Sequence, residues 1–237
     1  MSLFDFLFGR KRPQLSSEQQ ARLRRLPHRV QMKPTPLSQQ RFVVLDLETT
    51  GLNINRDIVI SIGAVAIEDG AVQMSQQFEC TLRREVKVNE AVLIHGIAPS
   101  ALANGEPPAD ALLSFMEFAG DCVMLAFHSP FDQRMLERAL KAELGYKLEH
   151  PFLDVADLAP MLFPEVLSRR TDLDHWMEYF GVEIEQRHHA AADALATAEI
   201  ALILLNRAHR IGVTHTEDLG NRLRFWQRAR KASLNSI

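Results

Sequence analysis

Cysteine is scarce in this chain. Cys80 and Cys122 are the only two in 237 residues, far apart and without the close spacing of a thiolate metal site. That excludes a disulfide-stapled framework and a cysteine-built metal centre, and both are expected as reduced packing residues. Long apolar runs are also missing: none approaches the roughly 18 residues of a membrane-crossing helix. A signal-peptide pattern is not found either, so the chain is expected in the cytoplasm, without stable membrane insertion. No internal repeat or low-complexity tract occurs, which sets aside solenoid and propeller architectures. What remains is 46% hydrophobic and 24% charged residues, an ordinary globular composition for one domain with extensions or at most two small domains.

The net charge of −3 hides an uneven distribution. Residues 1–40 hold 8 Lys/Arg against 2 Asp/Glu, residues 207–237 hold 7 against 2, and residues 41–206 hold 12 against 26, a net of −14. An acidic body does not track phosphates by its general surface, whereas basic ends attract nucleic acid through counterion release or simply keep the chain soluble. Residues 1–40, with "GRKRPQLSSEQQ" and "MKPTPLSQQ", read as a basic, proline-containing extension closer to a linker than to a core contributor, and the boundary is placed near Arg41. The opening "MSLFDFLFGRKR" reads as a frayed terminus or a surface-touching patch. Residues 207–237 read as a basic C-terminal helix or tail, whose Phe225 and Trp226 either stack on bases or dock the helix on the domain.

From Arg41 the pattern becomes regular. "RFVVLDLE", "IVISIGAVAI" and "VQMSQQFECTL" predict three consecutive antiparallel strands, the last two joined through the hairpin dipeptide Asp69-Gly70. "PPADALLSFMEFAG" predicts a helix ended by Gly120, "CVMLAFH" a short strand, and "SPFDQRMLERALKAEL" a helix with proline in its first turn. Later helices are predicted at "DVADLAPMLF", "TDLDHWMEYFG" and "AAADALATAEIALILLNRAHR". Strands first, then strands alternating with helices, gives an α/β domain with a mixed sheet.

Within that frame "VVLDLETTGL" poses a question: why are two carboxylates in a β-branched, apolar run? Side chains two apart on a strand share a face, so Asp46 and Glu48 point one way and Leu45 and Leu47 the other. The break at Thr49-Thr50-Gly51 puts the pair at the carboxyl end of the strand, where open α/β sheets bind ligands. Two crowded acids need either a proton or a cation, and Mg²⁺ takes oxygen ligands of this kind; the alternative is a strand tip facing water. Asp132 falls in the first turn of a helix, where it serves as a cap or as a third ligand. Asp193 sits between Ala192 and Ala194 in a helix of small and apolar residues, an expensive place for an unpaired charge. His188 and His189 precede it, and position alone does not choose between them.

These pieces together resemble the DEDDh exonucleases, the superfamily that includes the ε proofreading subunit of bacterial DNA polymerase III and RNase T. "VVLDLETTGL" matches the first motif, "FHSPFD" the second and "HHAAADA" the third, with "IHGI" at 94–97 and "LDHWMEYFGVE" as supporting segments, so the resemblance covers about residues 41–206. It implies a ribonuclease H-like mixed β-sheet flanked by helices. It implies metal binding by Asp46, Glu48, Asp132 and Asp193 and two divalent ions, Mg²⁺ or Mn²⁺, with Asp46 between them. The family's His-x4-Asp spacing implies His188, not His189, as general base. Thr49 and Thr50 are implied beneath the terminal nucleotide, with His95 approaching it from the "HGI" segment. Ser129 stands where the family usually has Asn, and its shorter reach weakens any contact it makes to substrate.

The implied activity is hydrolysis of single-stranded nucleic acid from a free 3′ end, DNA favoured, releasing nucleoside monophosphates. A DNA polymerase is the candidate protein partner; oligomeric state is open. Two rival readings are kept: a non-catalytic module that binds nucleic acid or a polymerase, and a phosphatase or nucleotide hydrolase acting on a small substrate.

Overall fold

The computed structural model describes residues 14–85, 96–166, 172–184 and 187–234. Alternation along the first strand organises everything around it. In β1 (Phe42–Thr49), Phe42 and Val44 join one apolar core while Val43, Leu45 and Leu47 join a second on the opposite face. β1 pairs antiparallel with β2 (Val59–Glu68), which pairs antiparallel with β3 (Ala71–Thr81). The hairpin between them turns at Asp69 and Gly70, with φ of 50° and 71°, the left-handed pair that a two-residue turn demands. On the other edge, β4 (Val123–Ala126) and β5 (Phe152–Asp154) run parallel to β1, giving the order β3-β2-β1-β4-β5. This is the ribonuclease H-like mixed sheet, flanked by helices on both faces.

Over the Val43/Leu45 face lie α1 (Ser17–Leu23), α3 (Pro108–Ala119) and α4 (Ser129–Leu144), with the short α2 (Pro99–Ala103) preceding α3. Over the Phe42/Val44 face lie α5 (Val155–Leu162), α6 (Leu173–Phe180), α7 (Ala190–Arg210) and α8 (Thr216–Leu234). Cys80 and Cys122 are both free and buried, as expected of packing residues.

The linker reading of residues 1–40 requires correction for the part the structure describes. Ser16 and Gln19 form a reciprocal capping box at the start of α1, Gln19 donates to Asp110, and Arg22 binds Glu117 and Ser114, so α1 is fastened to α3. Beyond it Leu26, Val30 and Leu37 are buried. The apolar residues that the prolines separate are the ones that seal the core. β5 is an addition the sequence reading lacked. The terminal helix docks on the domain through Leu219 and Leu223, while Phe225 remains 74% exposed. No helix among the described residues is long and apolar enough to cross a membrane.

Candidate active site

Three elements converge at the carboxyl end of β1. Asp46 and Glu48 project from the α7 side of that strand, and Asp193 projects from the first turn of α7. Each of the three offers a carboxylate oxygen, and these oxygens lie within 4.8 Å of one another. Asp132, in the first turn of α4, is buried at 4% exposure and faces Asp46 closely enough to feel its charge. All four acids line one cleft of about 650 Å³, together with Thr49, Gly51, Leu52, Phe127, His128, Phe131, Asp172, Leu173, Arg187 and His188.

The close approach of α7 to the sheet depends on one missing side chain. Gly63 of β2 is the cross-strand partner of Asp46, and a Cβ there would lie 2.1 Å from the carbonyl carbon of Ala190 and 2.2 Å from the amide nitrogen of Ala191. The first turn of α7 therefore rests on bare backbone, which carries Asp193 up to Asp46. A second closure is made by Asp154, the N-cap of α5. It accepts hydrogen bonds from Ala156 N (3.0 Å) and from His128 N (3.0 Å), fixing the left-handed residue that opens α4 at φ 63°. A third pins the loop after β1. Asp57 accepts from Thr50 Oγ1 (3.0 Å) and Asn53 N (2.7 Å), and Thr50 Oγ1 accepts from Ile58 N (3.1 Å). That loop displays Leu52, 85% exposed, at the rim of the cleft.

Crowding leaves its mark on the acids. Burial, then the charges of Glu48 and Asp193, push the Asp46 carboxyl up to about 8. Burial and the Asp193 charge push Glu48 up to about 7. Asp132 is raised well above the ordinary range by burial first and Asp46 second, against the pull of the Asp132 and Leu47 amides. Arg187 opposes the crowding at Asp46 and Glu48: its guanidinium pairs with Asp193 and, through Nε, with Asp174 at 2.6 Å. The donor set is all carboxylate oxygen, close-set and short of positive charge, which fits a hard divalent cation.

The adjacent histidines diverge. His188 lines the cleft, its N–H donating to Asp193 Oδ2 at 3.0 Å, and its φ of 60° puts it in a conformation uncommon for a residue with a side chain. His189 turns toward β3, where Nε2 lies 3.2 Å from Glu79 Oε1.

Most of the expected residues gather here: Asp46, Glu48, Asp132, Asp193, His188 and Thr49 all line the cleft. Thr50 holds the loop through Asp57 and is not in the cleft wall. Ser129 is buried at the start of α4 and does not belong to that wall; the neighbouring His128 does. His95 lies outside the described residues. The sequence reading did not single out Gly63, Asp154, Asp57, Leu52 or Arg187. A glycine inside a strand of β-branched residues was a legible signal for Gly63; the others act through tertiary contacts.

The exonuclease family model matches residues 43–201, a span that contains all four acids and His188. Among curated relatives, the PolC-type DNA polymerase III of Clostridium perfringens is 33% identical over 160 residues, 67% of this chain and 11% of that protein. The PolC-type enzyme of Thermotoga petrophila is 32% identical over 182 residues, 76% of this chain and 13% of its own. The chain thus spans about one eighth of the length of these relatives. Among solved structures, exonuclease I shares the fold at a TM-score of 0.63 and 20% identity, over 73% of this chain and 42% of that one. A structure of E. coli exonuclease I with a dA16 oligonucleotide aligns equally well, at 0.63 and 20%, with the same 73% and 42% coverage. With the motifs gathered at one cleft and the family model covering them, the chain belongs to the exonuclease family, within the DEDDh superfamily.

Proposed function

We propose that the chain is a divalent-metal-dependent 3′–5′ exonuclease acting on single-stranded DNA and releasing nucleoside monophosphates in proofreading or repair. The observation that carries this reading is the convergence of Asp46, Glu48 and Asp193 oxygens within 4.8 Å at a cleft that also contains Asp132 and His188. Three acids held that close, two of them pushed up to about 8 and about 7, with Asp132 buried in the same cleft, fit a cationic occupant. Asp46, Glu48 and Asp193 would hold one Mg²⁺ or Mn²⁺, and Asp46 with Asp132 a second. Such a pair supplies charge to the attacking and leaving oxygens of a phosphodiester.

The protein's own groups do the rest. His188 faces the cleft and accepts the proton of the attacking water, while its amide holds Asp193 in place. His189, turned to Glu79, is not in a position to do so. Thr49 forms the floor beneath the terminal nucleotide, and the apolar Leu52 and Phe131 offer flat or wedging contact to a base. Phe127 and Leu173 add apolar wall to the cleft.

The reading carries with it action on DNA in the cytoplasm, and the PolC-type relatives make a replicative polymerase the protein partner to test. The deciding experiment is digestion of 5′-labelled and 3′-labelled DNA and RNA strands, side by side, in Mg²⁺ or Mn²⁺. The expected result is a descending ladder from the 5′-labelled DNA and immediate release of labelled mononucleotide from the 3′-labelled strand. Tight binding without cleavage would instead favour a non-catalytic module, and phosphate release from mononucleotides a small-substrate hydrolase.

A further inference from the structure

The acidic body makes the placement of α8 informative. From Leu219 to Leu234 the helix contains Arg222, Arg224, Arg228, Arg230 and Lys231 and no acidic residue, on a body whose residues 41–206 sum to −14. Its buried stripe is Leu219, Leu223 and the partly buried Trp226 and Gln227, at helical spacing. The opposite stripe is Arg224, Phe225, Arg228 and Lys231, all exposed. Arg230 is committed: it binds Asp157 Oδ1 at 2.9 Å and lies 5.2 Å from the Trp226 ring. Arg224 donates to Asn221 Oδ1 at 2.6 Å, and among the described residues Arg224, Arg228 and Lys231 form no ion pair.

The direction of α8 brings the later part of this stripe, Arg228 and Lys231, toward the cleft end, while Phe225 sits farther back beside Met161, Leu162 and Ile211. The helix begins beside residues 35–37, which lead to the amino end of β1: Thr216 N donates to Thr35 O at 2.9 Å and Leu37 N to Thr214 O at 2.9 Å. It ends against Asp157, which Gln227 and Arg230 both bind at 2.9 Å. Asp157 is in the first turn of α5, whose N-cap Asp154 holds the amide of the cleft residue His128 through its carboxylate. Since β1, β4 and β5 are parallel, the basic end of α8 and the acidic cleft share the carboxyl end of the sheet.

We propose that the exposed face of α8, formed by Arg224, Phe225, Arg228 and Lys231, is a second contact for single-stranded nucleic acid. It holds phosphates and stacks a base of the strand whose 3′ end occupies the cleft. Charge complementarity favours this occupant: a polyanion approaching a body of net −14 finds guanidinium and ammonium groups without an ion-pair partner among the described residues on one face, with an exposed ring among them. The proposal rests on the exonuclease reading for its substrate but is testable without cleavage.

Binding of fluorescein-labelled dT30 to the full chain is measured by anisotropy without added metal, over a range of salt, for wild type and the triple variant Arg224→Ala/Arg228→Ala/Lys231→Ala. The expected result is a Kd raised tenfold or more. The slope of log K against log salt should also fall by about 2, from three contacts at roughly 0.7 each. Phe225→Ala should weaken binding severalfold with the slope unchanged, separating stacking from charge. With the thermal midpoint preserved, an unchanged Kd and slope in the triple variant overturns the proposal, as does failure of the wild type to bind dT30, which would turn the surface over to an acidic protein. Failure of the cleft reading has a different signature: no cleavage of a dinucleotide, too short to reach α8, by wild type in Mn²⁺.

Discussion

Gly63→Ala is a small substitution that should disable the site from behind. The added Cβ would sit 2.1 Å from Ala190 C, 2.2 Å from Ala191 N and 2.3 Å from Ala190 O, all backbone, so no side chain can swing aside. An ordinary contact begins at 3.4 Å, and the start of α7 must therefore retreat from β2 by about 1.3 Å or more. Asp193 and the amide of His188 travel with that turn, while Asp46 stays on β1, opposite residue 63 itself. Overpacking of this kind costs about 1–3 kcal/mol of stability. A displacement near 1 Å among reacting groups costs on the order of 10²-fold in rate. The assay is steady-state digestion of a 5′-labelled oligonucleotide in Mg²⁺, with the thermal midpoint recorded with and without the ion. The variant should stay folded at 25 °C, lose about two orders of magnitude in kcat, and lose most of the midpoint rise that Mg²⁺ gives the wild type. Wild-type kcat together with a wild-type Mg²⁺ response would refute the view that α7 must touch β2 for the acids to act together.

Asp46→Ala should abolish metal-dependent cleavage and erase the thermal response to Mg²⁺ while leaving the far-ultraviolet circular dichroism unchanged; full activity of the purified variant would exclude this site. His188→Ala should lower turnover by a factor on the order of 10² to 10⁴, and His189→Ala, which disturbs only the contact to Glu79, should be milder; parallel kcat measurements that reverse this order would show the wrong histidine was assigned. Stability should also depend on His150, which is 5% exposed, donates Nε2 to Gly120 O at 2.8 Å and, among the described residues, has no partner at Nδ1. Burial holds its pKa below the ordinary histidine value of about 6.5. The folded state thus binds fewer protons than the unfolded chain, and the stabilisation, complete above pH 6.5, is lost as pH falls through the lower folded value. Urea unfolding of His150→Phe should show a shallower loss below that pH, and an identical pH slope would contradict the assignment.

How far the sequence alone carried this account depended on the reach of each residue's job. Asp46 and Glu48 were legible because a period of two is a local property of a strand, and the faces taken by Leu45 and Leu47 followed from it. The limits of α4 were set by local signals, Pro130 in its first turn and Gly145 at its end. α7 was marked by its alanine-rich apolar run. β5, three residues long, has no period to read. The capping box of Ser16 and Gln19 was present in the sequence, but charge and proline around it masked a segment whose Leu26, Val30 and Leu37 prove to be core. Arg187, Asp154 and Asp57 act by holding a partner brought in by the fold, such as Asp193, His128 and Thr50. Nothing in their immediate neighbours announces that work. The family resemblance put Ser129, with its shorter reach, where an Asn usually meets substrate, yet the turn at His128 buries Ser129 and gives its neighbour the place on the cleft.

The most direct measurement is anomalous diffraction from crystals of the wild-type chain soaked in Mn²⁺. A peak is expected between the carboxylates of Asp46, Glu48 and Asp193, with the Arg187 guanidinium displaced from Asp193. A cleft without manganese, under concentrations that support cleavage in solution, would contradict the metal-site reading.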